Sequence, residues 1–238
     1  MAGRETQERL IDTAERLFAE HGFDGVTFKQ ITEEAGQRNA SALQYHFGTK
    51  QELVQAIALH RIPTLSDRRE AMLDELEATG RDKDLRAVVC ALVYPLAEQL
   101  DDGTAAGGRY YIRFLSQVLS NPRSRLHPFG SPELNKGIVR AGAMAALLMG
   151  HLPAEVVHQR LAVLAGFVVG ALADYERGSL DDRTVRPPAE FFVSNLIDVV
   201  VGMLSQPVSA ETREALERSE AADSVATSDA SRTSPAGS

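Results

Sequence analysis

The chain has 238 residues, of which 44% are apolar, enough for a packed core in one or two domains. Its 25 Lys and Arg residues against 33 Asp and Glu residues give a net charge of −8, which excludes a polycation that coats nucleic acid but not a small basic face. A single cysteine, Cys90, excludes a disulfide framework and a multi-cysteine zinc site, and the charged N-terminus lacks a signal-peptide core, so we expect a cytoplasmic protein.

The first 62 residues predict short helices joined by tight turns. A first helix spans residues 4–20, with apolar residues at helical spacing, and Gly22 ends it. Thr27 begins a capping box that opens a second short helix, and Thr49 begins another that opens a long fourth helix. Pro63 lacks a backbone N–H and is expected to kink or interrupt that helix, so we place the domain boundary after residue 62.

Between these capping boxes, Asn39 is a good N-cap for a third short helix, from Ala40 to about His46. Two short helices joined by a Gly-containing turn and braced by a preceding helix are typical of a helix-turn-helix, whose second helix enters the major groove of DNA. Leu43 and Phe47 are expected to point inward.

The outward residues of this third helix suit DNA. Ser41 and Gln44 can hydrogen-bond base edges, and the small side chains at 40–42 allow a close approach. Contacts to phosphate are expected from Tyr45, His46 and Lys50 and from the helix N-terminus near Thr49. Residues 35–51 contain no acidic side chain, although residues 1–62 hold seven basic and nine acidic ones. The spacing alone equally allows an ordinary corner of a helical bundle with Tyr and His on its surface.

The same segment resembles the N-terminal domain of the TetR family of bacterial transcriptional regulators over residues 9–57. The matching pieces are Leu17-Phe18-Ala19-Glu20-His21-Gly22-Phe23, Val26-Thr27, Ile31, Ala35-Gly36 and Leu43-Gln44-Tyr45-His46-Phe47-Gly48-Thr49-Lys50. Two features depart from the family pattern: Thr32 stands where Ala is usual, and the turn is one residue longer at Gln37-Arg38, which leaves the role of Arg38 open between phosphate, base and solvent.

The resemblance implies a homodimer that binds operator DNA, usually represses, and is released by a small molecule held in the C-terminal domain. It also implies backbone contacts for two further positions, Thr27 and Lys29. The predicted DNA-binding residues are therefore Thr27, Lys29, Arg38, Asn39, Ala40, Ser41, Gln44, Tyr45, His46, Thr49 and Lys50.

The rest of the chain predicts further helices and makes the fold all-α. They cover residues 82–100, 105–119, 132–151, 154–177 and 188–205. Residues 63–205 would form a larger effector-binding and dimerisation domain, and residues 206–238 a disordered, acidic, Ser-rich tail with a transient helix at 211–222. The apolar stretch 161–173 is short of the ~20 residues of a membrane span and favours a buried or interface helix.

The last two large helices predict the dimer contact. Small residues repeat every fourth position in 154–177, and apolar residues surround almost the whole of 188–205, which a second subunit would cover. The predicted contact residues are Leu161, Ala162, Gly166, Gly170, Phe192, Leu196, Val200 and Met203. Burial of both helices within one subunit is the alternative.

An effector pocket is predicted beside the kink expected at Pro95. One helix face combines aromatic rings with a cation and an amide, which would suit an anionic or carbonyl-bearing hydrophobic molecule. The candidate residues are Tyr94, Tyr110, Arg113, Phe114, Gln117, Met144 and Leu148. The alternative is an aromatic core with Arg113 paired to an acid or reaching solvent.

No catalytic constellation, metal-ligand spacing or cofactor motif is apparent, so an enzyme is not expected. The leading hypothesis is a ligand-responsive DNA-binding repressor. Two alternatives are a small-molecule-binding helical dimer without DNA binding, and a transcriptional activator.

Overall fold

A computed structural model describes residues 2–37, 41–100, 110–124, 135–178 and 187–219, with backbone only at 2–4, 41 and 42. These ranges contain helices and no strand, which confirms the predicted all-α fold. The helices are α1 (Ala2–Gly25), α2 (Phe28–Glu34), α3 (Ser41–Phe47), α4 (Lys50–Ala78), α5 (Leu85–Ala97), α6 (Tyr111–Leu119), α7 (Lys136–Leu148), α8 (Ala154–Gly178), α9 (Ala189–Ser205) and α10 (Ala210–Ser219).

Both predicted capping boxes are present, and they fix where α2 and α4 begin. The Gln30 amide donates to Thr27 Oγ1 at 3.2 Å, while the Thr27 amide donates to Gln30 Oε1 at 2.8 Å. The Glu52 amide likewise donates to Thr49 Oγ1 at 3.2 Å, and the Thr49 amide donates to Glu52 Oε2 at 2.7 Å. These bonds satisfy N–H groups that the first turn of a helix leaves without partners. Thr49 also holds the pKa of the Glu52 carboxyl below its ordinary value through these bonds.

The turns between these helices use glycines with positive φ. Gly22 (φ 72°) breaks the regular helix near the end of α1, as predicted, and Phe23 folds back into the core. Gly36 (φ 69°) ends α2, where the Gln37 amide donates to the Thr32 carbonyl at 2.9 Å. A side chain at either position would be strained, because L-residues rarely adopt this region.

Helix α4 does not end at Pro63, so of the two predicted effects the interruption is wrong, and the kink stays a prediction. The helix runs without a break from Lys50 to Ala78, so 29 residues span about 43 Å at the usual rise. Pro63 removes the helical donor to the Leu59 carbonyl, but both residues are exposed and water can reach that carbonyl. One continuous helix therefore leads from the turn after α3 into the C-terminal half.

A single hydrophobic core joins the N-terminal helices to the rest of the molecule. Helix α1 packs along α6, where the rings of Phe18 and Phe114 lie 6.2 Å apart. Asp24, just after the Gly22 break, accepts a hydrogen bond from Asn121 Nδ2 at 2.9 Å, which lowers the pKa of that carboxyl. Arg123 reaches the same carboxylate at 3.4 Å. The N-terminal helices are thus fixed against α6 and the short 3₁₀ turn that follows it.

The helices predicted for the C-terminal half are also present, most with shorter ends, whereas α8 extends one residue further, to Gly178. Helix α7 begins at Lys136 and α6 at Tyr111; the earlier starts predicted for them fall partly outside the described residues. In the tail, α10 matches the helix predicted near residue 211, and residues 220–238 lie outside the description.

Among the described helices, α8 is the one that has by itself the length and apolarity to cross a membrane. Helices α9 and α10 meet the same criterion only when they are taken together, and they are bent by 57° relative to each other. The most apolar window of α8 is 28% buried within the chain. An exposed apolar face that is not covered by the same chain is typical of an interface helix as well as of a span.

Candidate nucleic-acid interface and ligand cavity

Helix α3 is held by its inner face and exposes its outer one. Leu43 and Phe47 are buried, as predicted, beneath the start of α4. Gln44, Tyr45 and His46 are exposed, and Tyr45 is 87% exposed. The Tyr45 ring lies edge-on to the His46 imidazole, with centroids 5.4 Å apart. The face therefore offers an amide, a phenol and an imidazole to a partner, and α3 has no acidic residue.

Two further candidates flank this face. Lys29 on α2 is exposed and lies 3.8 Å from Glu33, a weak surface pair that leaves the ammonium accessible. Lys50 is only half exposed, because its Nζ donates to the Phe23 carbonyl at 3.0 Å and sits over the Phe23 ring. Lys50 thus joins the start of α4 to the end of α1, in addition to any role toward DNA.

The threonine hydroxyls are already used within the chain. Thr27 and Thr49 are exposed, but each Oγ1 takes part in a capping box. Four predicted residues cannot be placed in this way: Arg38, Asn39 and Ala40 lie outside the described residues, as does the side chain of Ser41.

Thr32, the residue that departs from the family pattern, is buried but fully satisfied. Its Oγ1 lies 3.0 Å from the Phe28 carbonyl and 2.9 Å from the Lys29 carbonyl of its own helix. A hydroxyl bonded back to its helix replaces Ala at this position without leaving a buried polar group unpaired.

A cavity of about 310 Å³ lies in the C-terminal half, among α4, α5, α6, α7 and α8. Its walls are mostly aliphatic, with polar groups from Arg69, Tyr111 and Asn135. The described residues that line it are Ala58, Ile62, Leu65, Arg69, Leu92, Leu96, Tyr111, Leu115, Leu119, Asn135, Ile138, Val139, Gly142, Leu161, Leu164, Ala165, Val168 and Val169. An apolar cavity with few polar groups is typical of a small-molecule site.

The seven residues predicted to bind an effector do not line this cavity. They are Tyr94, Tyr110, Arg113, Phe114, Gln117, Met144 and Leu148. The prediction placed the pocket at the face of α6 that packs against α1 and α8. The cavity instead lies at the face that carries Tyr111 and Leu115.

The contacts of that α6 face explain the difference. Arg113 Nε donates to Glu176 Oε1 of α8 at 3.0 Å and its guanidinium stacks on the Tyr110 ring, so the alternative of an arginine paired to an acid is correct. Phe114 packs against Phe18, and Gln117 lies beside Gly22. Among the described residues, this face therefore joins α6 to α1 and α8.

Arg69 is the feature of the cavity that the sequence prediction missed. It is 4% exposed, and its Nε donates to the Ala91 carbonyl at 3.0 Å. That carbonyl would ordinarily bond the amide four residues on, but the residue there is Pro95, which has no N–H. Arg69 thus replaces the missing donor. The signal in the sequence was the spacing of 58, 62, 65 and 69 along one face of α4, which is visible only if the helix continues past Pro63.

The predicted dimer residues divide into exposed and buried sets. Leu196 and Val200 are buried against the same chain, so they do not form an outer surface, and Phe192 stacks on Tyr175 with centroids 4.1 Å apart. Leu161 lines the cavity and Met203 is half-buried. The prediction assigned apolar residues from all sides of α9 to the dimer contact. In the structure, the inner side of α9 packs against α5 and α8 of the same chain.

The free apolar face of α8 and α9 is made of other residues. Ala162 and Gly166 are exposed and Gly170 is half-buried, as an interface would need, and there is open space around the two glycines. Four exposed large apolar side chains of α8 and α9 are absent from the predicted contact residues: Val163, Phe167, Phe191 and Val199.

One buried ion pair links α1 to α4. Glu15 is 1% exposed and accepts from Arg61 Nε at 2.8 Å, while Arg61 Nη2 also reaches Asp12 at 3.2 Å. Burial raises the pKa of Glu15 to about 7, although the hydrogen bond from Arg61 opposes that rise.

In the part of the chain that the structure describes, no group of three or more His, Cys, Asp or Glu side chains is placed to hold a metal ion.

Comparison with known proteins identifies the N-terminal segment. Residues 10–57 match the model of the bacterial regulatory proteins of the tetR family. The transcriptional repressor AcnR of Corynebacterium efficiens is 38% identical over 53 residues, which are 22% of this chain and 28% of AcnR. TtgW of Pseudomonas putida, an uncharacterised regulator of the helix-turn-helix type, is 32% identical over 90 residues, which are 38% of this chain and 62% of TtgW.

The chain therefore spans less than two thirds of the length of these relatives, and the family match itself covers residues 10–57. Among solved structures, the TetR family regulator PfmR of Thermus thermophilus aligns over 85% of this chain and 97% of its own, with 19% identity and a TM-score of 0.48. Helices α1, α2 and α3 of this segment have the order and the Gly-containing turn of a helix-turn-helix. The match to the tetR family of bacterial regulatory proteins covers residues 10–57, so the similarity to that family is shown for this N-terminal segment.

Proposed function

We propose that the protein is a homodimeric transcriptional repressor that binds operator DNA through α3 and leaves it when a small hydrophobic molecule fills the cavity. The observation that carries this proposal is the exposed, acid-free outer face of α3 on a helix-turn-helix whose neighbouring helices start at two capping boxes. Residues 1–62 would form the DNA-binding unit and residues 63–205 the regulatory unit. A relative named as a transcriptional repressor supports repression.

In the bound state, α3 would lie in the major groove. Gln44 is suited to a bidentate contact with adenine, and Ser41 with either kind of base, while Tyr45, His46 and Lys29 contact phosphates. The helix starts at Thr27 and Thr49 would add backbone contacts. The small net charge of the N-terminal unit implies modest affinity for non-specific DNA.

The dimer would form through the free face of α8 and α9. Phe191 is 63% exposed and Val163 is 58% exposed. A patch of large apolar side chains is unfavourable on the surface of a monomer, and a second subunit would remove it from water. The exposed Ala162 and Gly166 would allow the two copies of α8 to approach closely. Two-fold symmetry then sets two copies of α3 about 34 Å apart or somewhat more, near one turn of DNA.

The effector would act through α4. This helix starts at Lys50, which contacts the end of α1, and contributes Ala58, Ile62, Leu65 and Arg69 to the cavity wall. A ligand that displaces these side chains must move the same continuous helix that supports α3. Ligand binding and DNA binding would be coupled because the ligand binds one position of α4 more tightly and DNA binds the other.

As a regulator of this kind the protein would act in the cytoplasm, with no catalytic activity of its own. Its partners would be a second copy of the chain, double-stranded palindromic operator DNA and the effector.

The proposed function is tested by selecting bound sequences from a pool of random DNA duplexes with the full-length protein. We expect enrichment of a sequence with two inverted half-sites about one helical turn apart. In a parallel selection, Gln44→Ala should lose the preference at one position of each half-site and keep the spacing. Recovery of duplexes without any enriched sequence would refute specific DNA recognition and favour a ligand-binding dimer without DNA binding.

A further inference from the structure

The size of the cavity limits what it can hold. A 150 Å³ apolar cavity accommodates benzene, so about 310 Å³ suits a molecule of roughly ten to twelve non-hydrogen atoms. Of the eighteen described residues that line the cavity, fourteen are Ala, Ile, Leu or Val. Because these side chains offer no hydrogen bonds, most of the bound molecule must be hydrocarbon.

Arg69 adds a positive charge to this apolar environment. Its guanidinium donates from Nε to the Ala91 carbonyl and from Nη2 to the Leu92 carbonyl at 3.4 Å, and both acceptors are neutral. Among the described residues, no carboxylate pairs with Arg69 and no acceptor is bonded to its Nη1. Burial lowers the pKa of Arg69 to about 10, so the side chain remains a cation at neutral pH. A buried cation without a counter-ion is costly, and an anion beside it recovers part of that cost.

Tyr111 provides a second polar group on the same cavity wall. Its side chain is 2% exposed, and within the described ranges its hydroxyl has no hydrogen-bond partner. Burial raises the pKa of this phenol, so it stays protonated and can donate. A phenol donor and a buried cation that line the same cavity favour an oxygen anion as the group that both contact.

Arg69 is the one Lys or Arg among the described residues that line the cavity, and this sets the charge that we expect of the ligand. One guanidinium balances one negative charge, whereas a dianionic phosphate would leave net charge buried. A carboxylate also matches the planar fork of a guanidinium, which can donate two parallel hydrogen bonds.

We propose that the cavity binds an amphipathic monocarboxylate of about ten non-hydrogen atoms, with its carboxylate at Arg69 and Tyr111 and its hydrocarbon part along α7 and α8. The role of this ligand as effector rests on the proposed function, but its binding does not. Gly142 of α7, which lines the hydrocarbon region, has open space around its Cα where a side chain would project.

The first test compares octanoate with 1-octanol, which share the same hydrocarbon chain, by titration calorimetry on the full-length protein at pH 7.5. We expect octanoate to bind at least tenfold more tightly. Equal affinity, or tighter binding of the alcohol, would overturn the proposal, because the cavity would then recognise only the hydrocarbon.

Three variants locate the binding site. Arg69→Met should abolish the preference for octanoate and retain binding of octanol, and Arg68→Met, which removes an exposed neighbouring charge, should behave as the wild type. Gly142→Leu fills the cavity away from Arg69 and should weaken both ligands at least tenfold with an unchanged circular dichroism spectrum.

A preference for octanoate that survives in Arg69→Met, or wild-type affinity in Gly142→Leu, would contradict the proposed site. Arg69 also bonds the Ala91 carbonyl, so the folding of its variant is checked first. If Arg69→Met does not fold, the octanoate and octanol comparison in the wild type and in Gly142→Leu decides the matter.

The same titrations separate this inference from the proposed function. Octanoate binding that depends on Arg69 in a protein that selects no DNA sequence would refute the proposed function and leave the ligand site standing. Selective DNA binding without octanoate binding would refute the proposed ligand site and leave the proposed function intact.

Discussion

Tyr45 is the most exposed of the large apolar and aromatic side chains of the described part of the chain. Its neighbours Leu43 and Phe47 are buried and fix α3 to the core, whereas Tyr45 is 87% exposed and its ring lies edge-on to the His46 ring. A phenol held outward on a short rigid helix, at no apparent benefit to folding, is suited to a partner at that surface.

Replacing Tyr45 with Ala should therefore weaken DNA binding and spare the fold. We expect the Kd for the selected duplex to rise about tenfold, similarly for all sequences, because a phosphate contact is lost. Leu147→Ala, which truncates a comparably exposed side chain on α7, is the matched control and should leave the Kd unchanged. Mobility-shift titrations measure both, and equal affinities for the two variants would exclude the α3 face as the DNA surface.

Glu15 provides a pH-dependent prediction at the residue scale. Its pKa is about 7 in the folded chain and near 4.5 when unfolded, so the folded state binds the extra proton between these values. The contribution of Glu15 to stability is complete below pH 4.5 and is lost as the pH rises through 7.

Urea denaturation at pH 5, 6.5 and 8 tests this expectation. The free energy of unfolding of the wild type should fall relative to that of Glu15→Gln by about 1–3 kcal/mol between pH 5 and pH 8. Glu20→Gln, at an exposed position of the same helix, should run parallel to the wild type. A constant difference between the wild type and Glu15→Gln would show that Arg61 keeps the Glu15 carboxylate charged throughout.

At the scale of elements, the two faces of α9 have separate tasks. Leu196 and Val200 are buried against the same chain, whereas Phe191 and Val199 project from the other side. The sequence showed that α9 is apolar almost all round, but which half faces its own chain depends on the placement of α5 and α8.

A charge on the outer face of α9 should separate the proposed dimer. Val199→Asp would bury an unpaired carboxylate between the two subunits, and we expect the dimer dissociation constant to rise about a hundredfold with the helical content unchanged. Leu147→Asp is the control, because it places the same charge on an exposed part of α7. Sedimentation velocity distinguishes the two, and a dimer that persists in Val199→Asp would move the interface elsewhere.

For the whole molecule, one core extends from α1 to α9, and α10 stands apart from it. Every residue of α10 is exposed except the half-buried Leu216, and the core cluster contains none of its side chains. The tail therefore adds little apolar burial to the part of the chain that the structure describes.

Deletion of residues 210–238 should leave folding and dimerisation intact. We expect the melting temperature to change by no more than about 2 °C, since hardly any core contact is removed. Differential scanning calorimetry at several protein concentrations checks both properties. A larger drop would show that part of the tail docks on the body of the protein.

The sequence by itself determined the local features: the capping boxes at Thr27 and Thr49, the glycine stops at 22 and 36, and the inward direction of Leu43 and Phe47. These depend on residues three or four positions apart, so the chain reveals them without its fold. Only the tertiary structure decided that α4 continues past Pro63, that Tyr111 rather than Arg113 faces the cavity, and that Arg69 replaces the donor missing at Pro95. Each of these depends on side chains and carbonyls brought together from distant helices, and helical periodicity does not specify which neighbour a given face will meet.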